Sequence, residues 1–168
     1  MEEVSLQEML AARERRSYLQ TQLLHQYKKS LISFTLNIPG PVKVLPGVPE
    51  AFASGCQRIE TLLKDRLVLI QHMETIKEKT GYEAFYSVDA NPDFIKELMV
   101  SLEDQDRLGR LFDIDVLRPD GSKVSREDMG SAPRTCLLCG QPAHVCSRSR
   151  RHSVTELTAE IGKILSGL

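Results

Sequence analysis

One alternating run dominates the sequence: Gly109-Arg110-Leu111-Phe112-Asp113-Ile114-Asp115-Val116. Successive side chains of a β-strand point to opposite faces, so Asp113 and Asp115 share one face while the apolar residues beside them face a core. Two like charges on a half-buried strand are costly unless a positive group neutralises them. Mg²⁺ (or Mn²⁺) takes carboxylate oxygens, and Mg²⁺ commonly shares them with substrate phosphates. The run therefore predicts a strand with a metal site suited to phosphoryl or nucleotidyl transfer.

The bulk composition fits one soluble globular domain. The chain has 168 residues, of which 41% are hydrophobic and 27% charged, as is ordinary for a folded soluble protein. We expect a single domain over residues 1–168, with no membrane-spanning run and no signal peptide. A formal net charge of −1 gives no general attraction to nucleic acid or membranes. We expect a cytoplasmic location, where the four cysteines stay reduced.

Hydrophobic periodicity predicts an α+β fold. Strands are expected at residues 31–38, 82–88 and 110–118. Helices are expected from the capping box at Ser5–Glu8, over about 49–79 with a break near Asp65, from Asn91, and over 153–168. We expect a central, mostly antiparallel sheet with helices on one face, in a palm-like nucleotidyltransferase or ferredoxin-like arrangement. The aspartates would lie on the other face, flanked by the first helix and a loop at 133–152.

The first predicted helix has an unusual face. Its apolar ends enclose a basic, amide-bearing centre formed by Arg13, Arg16 and Gln20. Such a centre is either a solvated surface or a group of side chains that face an anion in a cleft.

The strand predicted at 31–38 also has a polar face, formed by Ser33, Thr35 and Asn37. Two prolines end it at residues 39–41, because proline cannot donate to a sheet ladder. Lys43 follows at once. This face is either a solvated surface or the wall of a binding site.

Residues 133–152 are rich in cysteine and arginine and poor in apolar side chains. The candidate metal ligands are Cys136, Cys139, Cys146 and His152. The Cys-x₂-Cys spacing is typical of a zinc knuckle, and three cysteines with one histidine form a known structural zinc set. Zinc would explain how such a loop stays ordered. The alternatives are cysteines that are simply buried or reduced, and His144 as the nitrogen ligand.

The same segment contains Arg148, Arg150 and Arg151. Guanidinium groups bind phosphate through two parallel hydrogen bonds. These arginines therefore suit either a polyphosphate substrate or an acidic protein partner.

Four of these segments together resemble one protein family. They are residues 12–20, the string Ser-Phe-Thr-Leu-Asn-Ile-Pro-Gly-Pro-Val-Lys at 33–43, the run at 109–116, and residues 136–153. In this order they look like the apo-citrate lyase phosphoribosyl-dephospho-CoA transferases, also called holo-citrate-lyase-acyl-carrier-protein synthases. The likeness extends from about residue 6 to the C-terminus.

The resemblance implies a nucleotidyltransferase that attaches a prosthetic group to a carrier protein. The donor would be triphosphoribosyl-dephospho-CoA, the acceptor a serine of the citrate lyase acyl carrier protein (the gamma subunit), and the leaving group diphosphate. Asp113 and Asp115 would bind Mg²⁺, with Arg110 as a further catalytic residue and Asp89 as a third carboxylate. The substrate-binding set would be Arg13, Arg16, Gln20, Asn37, Lys43, Arg148, Arg150 and Arg151.

Two other functions stay open on the residues alone. One is a zinc-knuckle interaction module on an α+β scaffold. The other is a different magnesium-dependent nucleotidyltransferase that keeps Asp113 and Asp115 but uses another substrate. Aromatic residues make up only 5% of the chain, with no tryptophan. This leaves few platforms for stacking bases, so we expect no nucleic-acid partner.

Overall fold

Five helices and four strands make up the computed structural model, which describes residues 1–168. In chain order they are α1 (Leu6–Tyr27), β1 (Ser30–Leu36), α2 (Val48–Asp65), β2 (Leu69–Glu78), β3 (Gly81–Asp89), α3 (Pro92–Glu103), β4 (Phe112–Leu117), α4 (Ala143–Ser149) and α5 (Val154–Ser166). The predicted α+β class is confirmed. None of the helices combines the length and apolar character needed to cross a bilayer.

All four strands form one antiparallel sheet in the order β2-β3-β1-β4. The succession β1-α2-β2-β3-α3-β4 is the βαββαβ unit of ferredoxin-like motifs. Within the sheet, Ser33 lies opposite Asp115 and Thr35 opposite Asp113. The predicted antiparallel sheet is confirmed, and these four polar residues lie on one face.

The opposite face of the sheet carries the main core. Ile32, Phe34, Ile114 and Val116 are almost free of solvent contact and belong to one cluster with apolar side chains of α2, α3 and α5. The packing of α2 explains Gly55, since an added Cβ would lie 2.3 Å from the Phe34 ring. This close packing gives the sheet a rigid back.

Helix α1 lies on the aspartate-bearing face, as expected of a helix that flanks the cleft, whereas α2, α3 and α5 pack on the opposite face. Leu23 and Leu24 pack there against Leu31, Phe85 and Leu117. These three strand residues make one end of the face apolar, and burying them under α1 removes that surface from water. The polar centre of the helix extends over the other end of the same face.

Residues 69–78 form a strand, where the sequence predicted more helix. Leu67 takes a positive φ of 59° after α2, and the chain then turns into β2. Ile70 and Met73 lie three residues apart and imitate a helical stripe. They occupy one face of the strand because the register shifts between Ile70 and His72, as in a β-bulge.

Strands β1 and β4 are both shorter than predicted. β1 ends at Leu36, and β4 begins at Phe112 after a 3₁₀ turn at Gly109–Leu111. Glycine is required in this turn, because a Cβ on Gly109 would lie 2.3 Å from the carbonyl oxygen of Leu102. Helix α3 thus presses against the chain just before the aspartates.

Candidate active site

Asp113 and Asp115 lie on β4, on the face shared with α1. Asp115 is half-buried, and its Oδ2 lies 3.2 Å from the Nζ of Lys123. Solvent reaches Asp113, yet the surrounding protein partly desolvates it. This desolvation is the main cause that raises the pKa of the Asp113 carboxyl, and the negative charges of Asp115 and Glu103 add to it. Such an excess of negative charge is the environment that a bound cation relieves.

The polar centre of α1 faces this end of the sheet rather than solvent. Arg16 forms an ion pair with Glu83 on β3, and the Gln20 amide donates to Ser33 Oγ at 3.0 Å. Glu83 lies on the same face as Asp113, with β1 between them. Sequence reasoning missed Glu83, although the pairing of β1 with β3 would have revealed it.

The cationic side chains of Arg13 and Lys43 lie close together, with no carboxylate between them. Lys43 donates to the carbonyl oxygen of Ile38 at 2.7 Å. Burial, and then the charge of Arg13, lower the pKa of the Lys43 amine. Neither Arg13 nor Lys43 forms a salt bridge, because the salt bridges of the structure join other residues. Arg13 and Lys43 are therefore free to bind an anion.

Asp89, predicted as a third carboxylate, lies at the opposite end of β3. Its neighbour Val88 pairs with Ser30 at the start of β1, whereas Asp113 pairs near the end of β1. Asp89 also forms an ion pair with Lys29 at 3.1 Å. The prediction for Asp89 is wrong.

Side chains form hydrogen bonds with the backbone groups at the free edge of β4. At Ile114, the buried Lys96 donates to the carbonyl oxygen at 2.9 Å, and the Glu103 carboxylate accepts from the N–H at 3.0 Å. Arg134 donates to the carbonyl two residues earlier at 2.7 Å. Arg126 completes the network with an ion pair to Glu103 at 2.7 Å. Helix α3 and the following loops thereby fix the strand that carries the aspartates.

The four predicted metal ligands come together. The ligand atoms of Cys136, Cys139, Cys146 and His152 all lie within 4.8 Å of one another. The sulfurs of Cys139 and Cys146 are 3.4 Å apart, and His152 Nε2 lies 3.5 Å from the Cys139 sulfur. Sulfurs bound tetrahedrally to zinc at 2.3 Å would be about 3.8 Å apart. The group therefore has the composition and size of a zinc site, with His152 rather than His144 as its histidine.

Local structure explains how these ligands converge. A bridge between Thr135 and Pro142 closes a small hairpin that presents the first two cysteines. Desolvation would raise the pKa of Cys136, but backbone N–H groups of Leu138 and Cys139 donate to its sulfur, and the net shift is downward. Helix α4 supplies the third cysteine. The histidine directly precedes the N-cap of α5.

A cavity of about 670 Å³ lies between this segment, the ends of β1 and β4, and α5. Asn37, Arg110 and Arg150 are among its polar lining. The backbone N–H of Asn37 donates to the Leu111 carbonyl at 2.8 Å, so the cavity begins where the β1–β4 pair ends. Asp113, the second residue of β4, lies two positions after Leu111 in the chain.

A family model described as apo-citrate lyase phosphoribosyl-dephospho-CoA transferase matches residues 4–167. The chain belongs to this transferase family. It is 40% identical over 170 residues to the probable apo-citrate lyase phosphoribosyl-dephospho-CoA transferase of Streptococcus pyogenes, across 98% of this chain and 86% of that protein. It is 35% identical over 163 residues to the transferase of Escherichia coli, across 97% and 89% of the two chains. The predicted resemblance is confirmed.

The chain is also similar to part of a longer relative. The chain is 36% identical over 159 residues to protein CitXG of Haemophilus influenzae, across 94% of this chain and 34% of that protein.

In this member of the transferase family, the predicted site residues fall into three groups. Arg13, Arg16, Gln20 and Lys43 lie toward the aspartate end of the sheet. Asn37, Arg110 and Arg150 line the cavity, where Arg110 also donates to the Thr135 carbonyl. Arg148 and Arg151 are exposed and do not line the cavity.

Proposed function

We propose that this chain transfers phosphoribosyl-dephospho-CoA from triphosphoribosyl-dephospho-CoA to a serine of the citrate lyase acyl carrier protein. Membership of the transferase family supports the reaction. The observation that carries it to a site is the carboxylate pair of Asp113 and Asp115 on one face of a fixed strand. We assign the whole of residues 1–168 to one transferase domain, with an antiparallel, palm-like sheet as its platform.

The reaction forms one bond and breaks one. The serine Oγ bonds to the α-phosphorus of the donor, and the bond from that phosphorus to the bridging oxygen of the leaving diphosphate breaks. The serine proton passes to the released diphosphate or to water, and the carrier gains a phosphodiester-linked arm. Charge grows on the diphosphate oxygens, so the site needs positive groups around them.

The aspartate pair fits Mg²⁺ or Mn²⁺ through the chemistry of its oxygen donors. Asp113 and Asp115 would hold the ion, which when bound would supply positive charge to the donor phosphates and the leaving diphosphate. Arg13 and Lys43 would bind the triphosphate, because their charges are not neutralised by carboxylates. Arg16 and Gln20 would position β1 and β3 under it through their contacts with Glu83 and Ser33.

We propose that the Cys₃His group holds one structural Zn²⁺. His152 has a partner suited to orienting it, since its Nδ1 lies 3.5 Å from Glu156 while Nε2 faces the sulfurs. None of the four cysteines forms a disulfide, which fits the cytoplasm as the compartment. Elemental analysis of protein purified without added metal should show about one zinc per chain. Absence of zinc, with all the cysteines freely titrating, would exclude this assignment.

Intact-mass analysis of the carrier tests the function. Apo carrier protein is incubated with the transferase, triphosphoribosyl-dephospho-CoA and Mg²⁺. We expect a mass increase of one phosphoribosyl-dephospho-CoA group, and none when the acceptor serine is replaced by alanine. Metal dependence is tested by omitting Mg²⁺ rather than adding a chelator, which would also remove zinc. Transfer from plain nucleotides but not from this donor would favour another nucleotidyltransferase, and no transfer from any donor would favour an interaction module.

A further inference from the structure

The cavity beside the Cys₃His group has an unusual charge. Arg110 and Arg150 line it, and neither forms an ion pair, although Arg110 donates to the Thr135 carbonyl. Its other arginine, Arg134, lies 3.7 Å from Glu103 and donates to backbone carbonyls of Gly109, Arg110 and Phe112. Desolvation and the charge of Arg134 lower the pKa of Arg110. Arginines gathered in one concave site without carboxylates favour an anionic ligand.

One part of the remaining lining is apolar. Leu137, Val154, Leu157 and Ile161 form this part of the wall. At about 670 Å³, the cavity has the size typical of sites for ligands larger than a simple phosphate ion. A ligand with an anionic group in the middle and uncharged ends would match arginines on one side and apolar side chains on the other.

The cavity is close enough to the aspartates for one ligand to reach both. Leu111 lines the cavity, and Asp113 lies two residues further along the chain, about 7 Å away at the rise of an extended strand. Asn37 lies opposite Leu111, at the boundary between the two regions. One end of a long donor can therefore occupy the cavity while its reacting phosphate lies at the aspartates.

We infer that the cavity binds the dephospho-CoA part of the donor, with Arg110 and Arg150 on its diphosphate and the apolar wall against its uncharged ends. The inference rests on the proposed function for the identity of the donor. The triphosphate then belongs at Asp113, Asp115, Arg13 and Lys43, outside the cavity. Arg148 and Arg151 stay outside both sites.

The same cavity depends on the metal-binding segment for its shape. Cys136, Cys146 and His152 are part of its lining. A zinc ion bound to them would fix the wall against which the ligand packs. Affinity for dephospho-CoA should therefore fall when zinc is removed, even where the sheet and its aspartates stay folded.

Calorimetric titration with dephospho-CoA tests the assignment without any transfer reaction. Arg150 has a positive φ of 51°, so Arg150→Asn removes the guanidinium with a residue that tolerates this backbone. Arg151→Asn is the matched control, one residue away and outside the cavity. We expect Arg150→Asn to weaken binding roughly 10- to 100-fold, the effect of losing charge-assisted hydrogen bonds. Arg151→Asn should bind like the wild type.

A second pair of variants tests the space rather than the charge. Ser147 lines the cavity and Ser149 does not, although both are exposed on α4. Ser147→Trp should block dephospho-CoA binding, while Ser149→Trp should leave it intact. Circular dichroism and zinc content show whether each variant is folded, and either pair alone is sufficient for the test.

Three results would overturn the inference: no binding of dephospho-CoA by wild-type protein at millimolar concentration, equal affinity of Arg150→Asn and Arg151→Asn, or normal binding by Ser147→Trp. These results are independent of the carrier assay. Mass transfer to the carrier with unchanged affinity in Arg150→Asn would reject the cavity and leave the function standing. Dephospho-CoA binding without any mass transfer to the carrier would reject the proposed function and leave the cavity as a dephospho-CoA site.

Discussion

Strand β4 and the segment at 133–152 hold their functional groups in different ways. The aspartates of β4 are placed by the alternation of a strand that is hydrogen-bonded to β1 on one side and to side chains of α3 on the other. The cysteines and His152 are placed by the path of a small hairpin, a short helix and the start of α5. The fold itself sets the geometry of β4, whereas we expect residues 133–152 to need a bound zinc ion to keep their geometry.

The contrast separates chemistry from substrate binding. A site that must hold a reacting phosphorus in line profits from rigid elements, because small displacements of catalytic groups cost rate. A site that must admit and release a long donor can be built on a segment with lower stability. The variants that follow disturb one region and leave the other in place.

The largest expected effect is the loss of zinc from a cysteine variant. Cys139→Ser removes the sulfur that lies near both Cys146 and His152. Structural zinc in small sites contributes about 10 kcal/mol or more of apparent binding free energy. We expect zinc content to fall to near zero and trypsin to cleave at Arg148, Arg150 or Arg151, while the rest of the chain resists digestion.

The matched control is Cys56→Ser, which changes a cysteine on α2 outside the cluster. It should keep a full complement of zinc and the wild-type digestion pattern. Two results would contradict the proposed independence of the two regions. One is a full zinc content in Cys139→Ser, and the other is unfolding of the whole chain when zinc is lost.

The next effect concerns the support of β4. Glu103 is almost fully buried and forms an ion pair with Arg126 while it accepts from the Ile114 N–H. Glu103→Gln keeps an acceptor but leaves the largely buried Arg126 guanidinium with only the exposed Asp104 as its carboxylate partner, which should cost about 3 kcal/mol in the free energy of unfolding. Urea denaturation measures this. Glu97→Gln on the exposed side of α3 is the control and should be neutral, so equal effects of the two variants would refute the account of the edge.

A smaller effect is expected at the turn before β4. Gly109→Ala places a Cβ against the backbone of α3, and such overpacking typically costs about 1–3 kcal/mol. Gly162→Ala on α5 is the control, since a Cβ there meets no atom within 4 Å. Thermal unfolding should show a lower midpoint for Gly109→Ala only. Equal stability of the two proteins would mean that α3 can move away from the turn.

The smallest effect is a dependence of stability on pH. Asp106 accepts two hydrogen bonds of 3.0 Å from Arg58 and one of 2.9 Å from the Gly109 N–H. The Arg58 guanidinium, with help from this N–H, lowers the pKa of Asp106 below its ordinary value of 3.8. The folded protein then binds this proton less readily than the unfolded chain, so the stabilisation is present at neutral pH and lost as the pH falls below about 4.

Comparison with Asp106→Asn measures that contribution. The variant should be less stable than the wild type by about 1 kcal/mol or less at pH 7, because the pair is partly exposed. The difference should shrink toward zero between pH 4 and pH 2. A difference that grows on acidification would mean that the sign of the linkage is wrong.

Sequence patterns were sufficient where structure follows a local period. The alternation at residues 109–116 placed Asp113 and Asp115 on one face, and the polar centre of α1 indicated side chains turned toward a site. The spacing of the cysteines and His152 predicted a set of ligands that the fold does bring together. In each case the information lies within a short segment.

The patterns failed where structure depends on contacts distant in sequence. Strand β2 was mistaken for helix because a bulge put Ile70 and Met73 at a helical spacing. The first helix was expected beside the aspartates, but the apolar patch of Leu31, Phe85 and Leu117 that holds it there is revealed only by the strand register. Lys96 and Glu103 support β4 from a helix whose placement no short segment encodes.

The most direct test of the central claim is the intact mass of the carrier protein after incubation with Asp113→Asn, donor and Mg²⁺. Asp120→Asn, in the turn after β4, is the control. We predict that Asp113→Asn reduces transfer by roughly 100-fold or more, with an unfolding midpoint no lower than that of the wild type and normal dephospho-CoA binding, whereas Asp120→Asn transfers like the wild type. Transfer by Asp113→Asn at a rate near that of the wild type would contradict the assignment of the reaction to β4.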